Sequence, residues 1–201
     1  VFRQSLAQLS RPRGANKKGI DMNKQFIAKL VLLALAATAS AAHADVATSS
    51  FKVRIQITKT CAVTTAPADI DLGTVAATAT AVNQNGSTNF RVNCSKSTPF
   101  FIGLAPSAAN GGTANGTGAM ASVANGATNT DKVPYTLYSN AAMTTVWGNT
   151  ATTTAVGNGL AGTGGGMGGG NAVSFTAYAK ATNVDFTPDN YIDTVTVNVN
   201  Y

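Results

Sequence analysis

Two stretches near opposite ends of this 201-residue chain constrain its fold most strongly. In residues 51–58, Phe51, Val53, Ile55 and Ile57 alternate with polar residues, and in the closing stretch Val195, Val197, Val199 and Tyr201 do the same. A period of two belongs to a strand with one buried face and cannot serve a helix, whose face recurs every 3.6 residues. An unpaired strand edge templates association with another chain. Both stretches therefore carry an association hazard.

Shorter strand signals lie between them. Residues 68–75 read as a short strand ending near Gly73; residues 88–94 alternate with Phe90, Val92 and Cys94 on one side; residues 100–105 form a continuous apolar run suited to a sandwich interior. Residues 133–138 form an aromatic-rich strand with Val146, Trp147 and Gly148 close behind, and Pro134 marks an edge or a strand start. Residues 172–179 supply another strand, and residues 191–201 read as one strand running to the last residue. Residues 106–131 are nearly all small, with Asn-Gly steps at Asn110, Asn115 and Asn125, and are either a long loop or a short hairpin. The glycine-rich residues 157–170 read as a solvated hairpin loop, because a phosphate-cradling loop needs a following helix and usually a Lys-Ser/Thr pair. The sequons at Asn85 and Asn115 read as turn chemistry.

The formal net charge of +6 arises entirely within residues 1–44, which hold seven Lys/Arg against Asp21 alone. From Asp45 onward seven Lys/Arg meet seven Asp, so the basic balance says nothing of nucleic acid or membrane binding. Lys24 and Lys29 precede an apolar run beginning at Leu30 that ends in small residues at Ala42-His43-Ala44, the pattern of a secretory signal peptide. Residues 22–44 are thus expected to be cleaved after Ala44. Residues 1–21 are expected to be a mis-assigned upstream extension, with Met22 the start; a functional basic extension is the alternative. No later stretch approaches the roughly 20 apolar residues of a membrane helix, so the mature protein is expected to be soluble and exported, without an integral membrane segment.

The 157 residues from Asp45 contain no Glu and no His, and Ala, Thr, Asn, Gly and Val dominate. One all-β domain follows. Cys61 and Cys94 read as a disulfide formed in an oxidising compartment; closing that loop contributes roughly 3.7 kcal/mol in the chain-entropy model. Two thiols without a nearby His make an incomplete zinc site, and no metal or cofactor is expected. Catalysis is disfavoured by inventory, since neither His nor Glu is present as acid, base or ligand. Asp69 and Asp71 read as a solvated strand face rather than an acid pair or half a calcium site, and Asp185, Asp189 and Asp193 around Pro188 meet no calcium-loop spacing. Tyr135, Tyr138 and Trp147 read first as core packing and second as a carbohydrate platform.

Taken in order, these pieces resemble the spore coat protein U domain family, pilins of the archaic chaperone-usher pili. The carriers are the alternating N-terminal stretch leading into Thr60-Cys61-Ala62-Val63, the Phe90-Arg91-Val92-Asn93-Cys94 strand, residues 133–142, and the terminal residues 191–201. The resemblance implies an incomplete immunoglobulin-like β-sandwich completed by donor-strand exchange. Residues 45–57 would be the donor segment and 58–201 the sandwich. Phe51, Val53 and Ile55 would fill a neighbour's groove, with Ile57 either closing the row or opening the subunit's own first strand and Val46 a candidate extension. Val195, Val197, Val199 and Tyr201 would form the acceptor strand. The implied partners are identical or homologous subunits, a periplasmic chaperone and an outer-membrane usher. A heterologous, non-closing contact makes a filament, placing the protein on the cell surface in adhesion and biofilm formation. Other readings are a secreted carbohydrate-binding module and a coat protein whose N-terminal strand fills its own groove.

Overall fold

The computed structural model describes residues 46–78 and 83–201; the expected signal peptide and upstream extension lie outside them. The chain divides into two units, Val1–Arg54 and Ile55–Tyr201. In the first, residues 46–54 form no strand, and Phe51 and Val53 expose their side chains. The strand expected over 51–58 is therefore not formed. Ladder hydrogen bonds hold a strand, and none of the described pairings includes these residues.

The second unit is an immunoglobulin-like sandwich of nine strands, with no α-helix among the described residues. They are β1 (Cys61–Thr65), β2 (Gln84–Cys94), β3 (Pro99–Pro106), β4 (Thr117–Ser122), β5 (Lys132–Tyr138), β6 (Leu160–Thr163), β7 (Val173–Ala181), β8 (Tyr191–Ile192) and β9 (Val195–Asn200). One sheet has the order β1-β2-β7-β5-β4-β8 and the other β6-β3-β9, with every pairing antiparallel.

Alternation sets the inward faces. Phe90, Val92 and Cys94 of β2, Phe100, Ile102 and Leu104 of β3, and Val133, Tyr135 and Leu137 of β5 are all buried. Cys61 and Cys94 stand directly opposite each other in the β1/β2 register and form the disulfide, which staples the edge strand to its neighbour. Trp147 is fully buried, and its indole N–H donates to the Ile102 carbonyl oxygen at 2.9 Å. It packs in an aromatic cluster with Phe90, Phe175 and Phe100, ring centroids 5.7–6.4 Å apart. Core packing is thus the role of Trp147, and Tyr135 is buried with it.

Four expectations need correction. Residues 68–75 form no strand; they cross β2 at Gly86, where a Cβ would lie 2.7 Å from the Ile70 side chain and 2.8 Å from the Asp71 carbonyl oxygen. Part of the glycine-rich stretch is ordered as β6, because Gly162 leaves room for the Phe100 ring that a Cβ would strike. Pro134 lies in an interior strand, tolerated because β5 meets β7 only from Thr136 onward. The terminal stretch is two strands in different sheets rather than one, broken at Asp193 and Thr194 and ending at Asn200. Residues 106–131 resolve into a 3-10 turn at Ala108–Asn110 and the strand β4.

Candidate functional site

The break at Asp193 creates the site. The chain leaves the larger sheet at Ile192 and enters the smaller one at Val195. Asp193 is held at this crossing from two sides: its Oδ2 accepts the Tyr135 hydroxyl at 2.6 Å and its Oδ1 accepts the Asn110 amide at 2.8 Å. Asn110 in turn accepts Lys132 Nζ at 3.0 Å. Burial, reinforced by the bond to the Asp193 carboxylate, pushes the Tyr135 phenol far above its ordinary pKa, so it remains a donor.

Beside this crossing the sheets do not close on one another. A cavity of about 720 Å³ lies between them. Its floor is Ala177 and Ala179 of β7; Phe90, Leu104 and Leu137 form inner walls, and Val195 and Val197 of β9 the far one. Ile70 and Leu72 flank it, and Val123 and the exposed Ile192 stand at its mouth. Val199 and Tyr201 are half-buried against the core but lie outside the cavity lining.

The backbone along one wall also lacks a second strand partner among the described residues. Among the described residues β9 pairs only with β3. Leu104 N–H donates to the Gly148 carbonyl at 2.9 Å, on the side of β3 away from β9, so Leu104 and Val197 form the pair type that exchanges no hydrogen bonds. By the same alternation, Val195, Val197 and Val199 all direct their N–H and C=O groups to the outer edge of β9. The residues whose side chains face the core thus carry the free half of the ladder.

The loop before β8 is tied down separately. Asp189 accepts the Ser122 hydroxyl and the side-chain amides of Asn125 and Asn129 at 3.1 and 3.2 Å. These bonds, the Ser122 hydroxyl first, lower its pKa to about 2. Asp131 is lowered likewise by the backbone N–H and hydroxyl of Thr187. These aspartates are structural acceptors. Asp71 caps its own turn by accepting the Gly73 N–H at 2.7 Å. Among the described residues no three His, Cys, Asp or Glu side chains gather to hold a metal, and no helix is long and apolar enough to cross a membrane.

Of the expected groove residues Val195 and Val197 line the cavity and Val199 and Tyr201 do not; the expected donor row is exposed, with Ile55 at 87% and Ile57 at 84%. Sequence reasoning missed the alanine floor and the Tyr135–Asp193 bond. The floor was readable as the inward row Phe175, Ala177, Ala179 and Ala181, in which one large side chain is followed by three small ones.

The spore coat protein U domain family model matches residues 47–198, and the chain belongs to that family. No curated protein matches it. Among solved structures it is similar, at 17% identity and a TM-score of 0.45, to a chain in the crystal structure of the CsuC–CsuE chaperone–tip adhesion subunit pre-assembly complex from the archaic chaperone-usher Csu pili of Acinetobacter baumannii. That match covers 72% of the present chain and 40% of the other.

Proposed function

We propose that this protein is a structural subunit of an archaic chaperone-usher pilus, joined to its neighbours by donation of an N-terminal strand. The observation that carries the reading is the open apolar groove walled by β9, whose outer backbone edge has no strand partner among the described residues. Strand addition supplies both missing components: backbone bonds along an edge and alternate side chains in pockets. The row Phe51, Val53, Ile55 and Ile57 has the required alternation and exposure. Its seven residues, six steps, span about 20 Å at strand rise, the same as from Val195 to Tyr201. Burying four such side chains contributes about 6–12 kcal/mol. Val46, five residues before Phe51, falls out of phase with the row and would face away from the groove.

Residues 45–57 are the donor segment on this reading and 58–201 the acceptor domain, delivered behind a signal peptide at 22–44. Before assembly the same groove is the surface a periplasmic chaperone would occupy, and an outer-membrane usher would export the growing fibre. Because each subunit gives at one end and receives at the other, the product is an open filament on the cell surface, serving adhesion and biofilm formation.

Electron microscopy and unboiled detergent gels test the reading on the protein expressed from Met22 and on a Phe51→Asp/Val53→Asp variant. Thin fibres and heat-sensitive ladders from the parent alone are expected. A stable monomer from both would overturn the reading in favour of a self-complemented coat protein or a secreted binding module.

A further inference from the structure

The side chains that fix Asp193 also bring an amine, a carboxamide and a carboxylate together. Asn110 closes the short 3-10 turn after β3, its backbone N–H donating to the Ser107 carbonyl at 3.1 Å, and its side-chain amide donates to Asp193 Oδ1 at 2.8 Å. Its carboxamide oxygen accepts Lys132 Nζ at 3.0 Å, and the same Nζ lies 3.4 Å from the adjacent Ala109 carbonyl oxygen. The exposed lysine is thus held by two acceptors of one turn. The carboxamide oxygen it contacts is bonded directly to Asn110 Cγ, so a small rotation of the lysine side chain brings nitrogen to carbon.

Two features separate this arrangement from an ordinary surface hydrogen bond. The first is the carboxylate. Tyr135 donates to Asp193 Oδ2 at 2.6 Å, and burial keeps that phenol protonated, so Asp193 presents Oδ1 to Asn110 from a fixed position. The second concerns the reaction usual for an Asn-Gly step, in which the following backbone nitrogen closes on the asparagine side chain to a succinimide. Here the Gly111 N–H donates to the Ala108 carbonyl at 3.0 Å, and Gly111 takes a left-handed φ of 86°. The backbone nitrogen is engaged within the turn, whereas the lysine nitrogen is directed at the carboxamide.

Aminolysis of an amide is slow between separate molecules, and holding the two groups in contact raises their effective concentration by orders of magnitude. From these observations we propose that Lys132 Nζ and Asn110 Cγ become joined by an intramolecular isopeptide bond, with Asp193 as the proton carrier. The lysine attacks as the free amine. Its lone pair forms the bond to Cγ while the carbonyl π pair moves to Oδ1. The adduct nitrogen then loses a proton, Asp193 takes one up and returns it to Nδ2, the carbonyl re-forms, and the Cγ–Nδ2 bond breaks to release ammonia. Amine and carboxamide give a secondary amide and ammonia, with no oxidant, reductant or cofactor. The bond ties the turn after β3, in the smaller sheet, to the first residue of β5, in the larger, beside the point where the chain crosses between them. It forms within one chain and does not depend on assembly.

The test uses the chain expressed from Met22, incubated folded at mildly alkaline pH, then denatured for intact mass and tryptic digestion beside Lys132→Arg and Asp193→Asn. The parent is expected to be lighter by one ammonia and to resist trypsin at Lys132, so that residues 97–132 and 133–180 remain one peptide. Lys132→Arg is expected to keep its full mass and to be cleaved there. Asp193→Asn is expected to form the bond at least about a hundredfold more slowly. A retained Cys61–Cys94 disulfide and a cooperative thermal transition establish that each chain is folded, and Lys132→Arg, at an exposed position, carries the comparison if Asp193→Asn does not fold. Full mass and ordinary cleavage at Lys132 in the folded parent would overturn the proposal and leave Asn110 a hydrogen-bond bridge. A loss of ammonia that survives in Lys132→Arg would also overturn it, assigning the loss to a succinimide at an Asn-Gly step. An unchanged rate in folded Asp193→Asn would overturn the part given to the carboxylate.

Discussion

The two ends of the sandwich interior differ in a single respect with large consequences. At one end Phe90, Phe100, Trp147 and Phe175 fill the space between the sheets, and the Trp147 N–H is satisfied by a backbone carbonyl. At the other end the same strand, β7, presents alanines, and the sheets leave an open groove between them. Both ends are built by period-two alternation on shared strands, so the difference is one of side-chain volume. Close packing is what makes a core self-sufficient. The closed end satisfies that requirement within the chain, whereas the open end has the backbone edge and apolar walls of a core without its filling.

Substitutions test the contrast by separating what each end contributes. Trp147→Ala should have the largest effect, about 3–5 kcal/mol, from the cavity it leaves together with the lost hydrogen bond to Ile102. Denaturant unfolding of free and assembled protein should register the loss in both states; a loss confined to the assembled state would break the division into a closed and an open end. Removing the disulfide with a Cys61→Ser/Cys94→Ser double change should cost about 2–4 kcal/mol, measured the same way against the oxidised parent. Tyr135→Phe acts at the open end, removing the donor to Asp193, and should cost about 1.5–3 kcal/mol. Its ladders should also dissociate faster, since the bond holds the start of β9; unchanged ladders would show that Asn110 alone suffices to hold Asp193.

The smallest expected effect is a pH dependence. The Asp189 carboxylate has a folded-state pKa of about 2, below its ordinary value near 4. A depressed pKa contributes stability that is present above the unfolded value and is lost as pH falls through the folded one. Thermal midpoints should therefore decline between about pH 4 and pH 2, with Asp131 adding in the same direction. Asp189→Asn should flatten that decline without altering the midpoint's response to salt-free titration near neutrality. An undiminished slope in the variant would assign the acid sensitivity to other carboxylates.

Much of this molecule was legible along the chain because a strand's facing is a local property. The inward residues of β2, β3, β5 and β7 follow from alternation over a few residues, and the Cys61–Cys94 bond from two thiols in a chain expected to be exported. Loop and strand were harder to separate where small residues dominate. Residues 160–163 carry no strong strand signal, and they pair because Gly162 admits the Phe100 ring from a distant element. Residues 51–58 and 68–75 show the converse, strand-like patterns that form no ladder within the chain.

By itself, then, the sequence determined the all-β class, the inward faces, the disulfide and the two alternating termini, since each depends on neighbours a few positions away or on residue chemistry alone. Only the tertiary structure decided that the terminal stretch changes sheets at Asp193, that β9 keeps a free edge among the described residues, and that the alanines of β7 underlie a cavity. Those features depend on which elements meet across the sandwich. Side-chain volume becomes depth, and a backbone group becomes unpaired, only once the opposing sheet is in place.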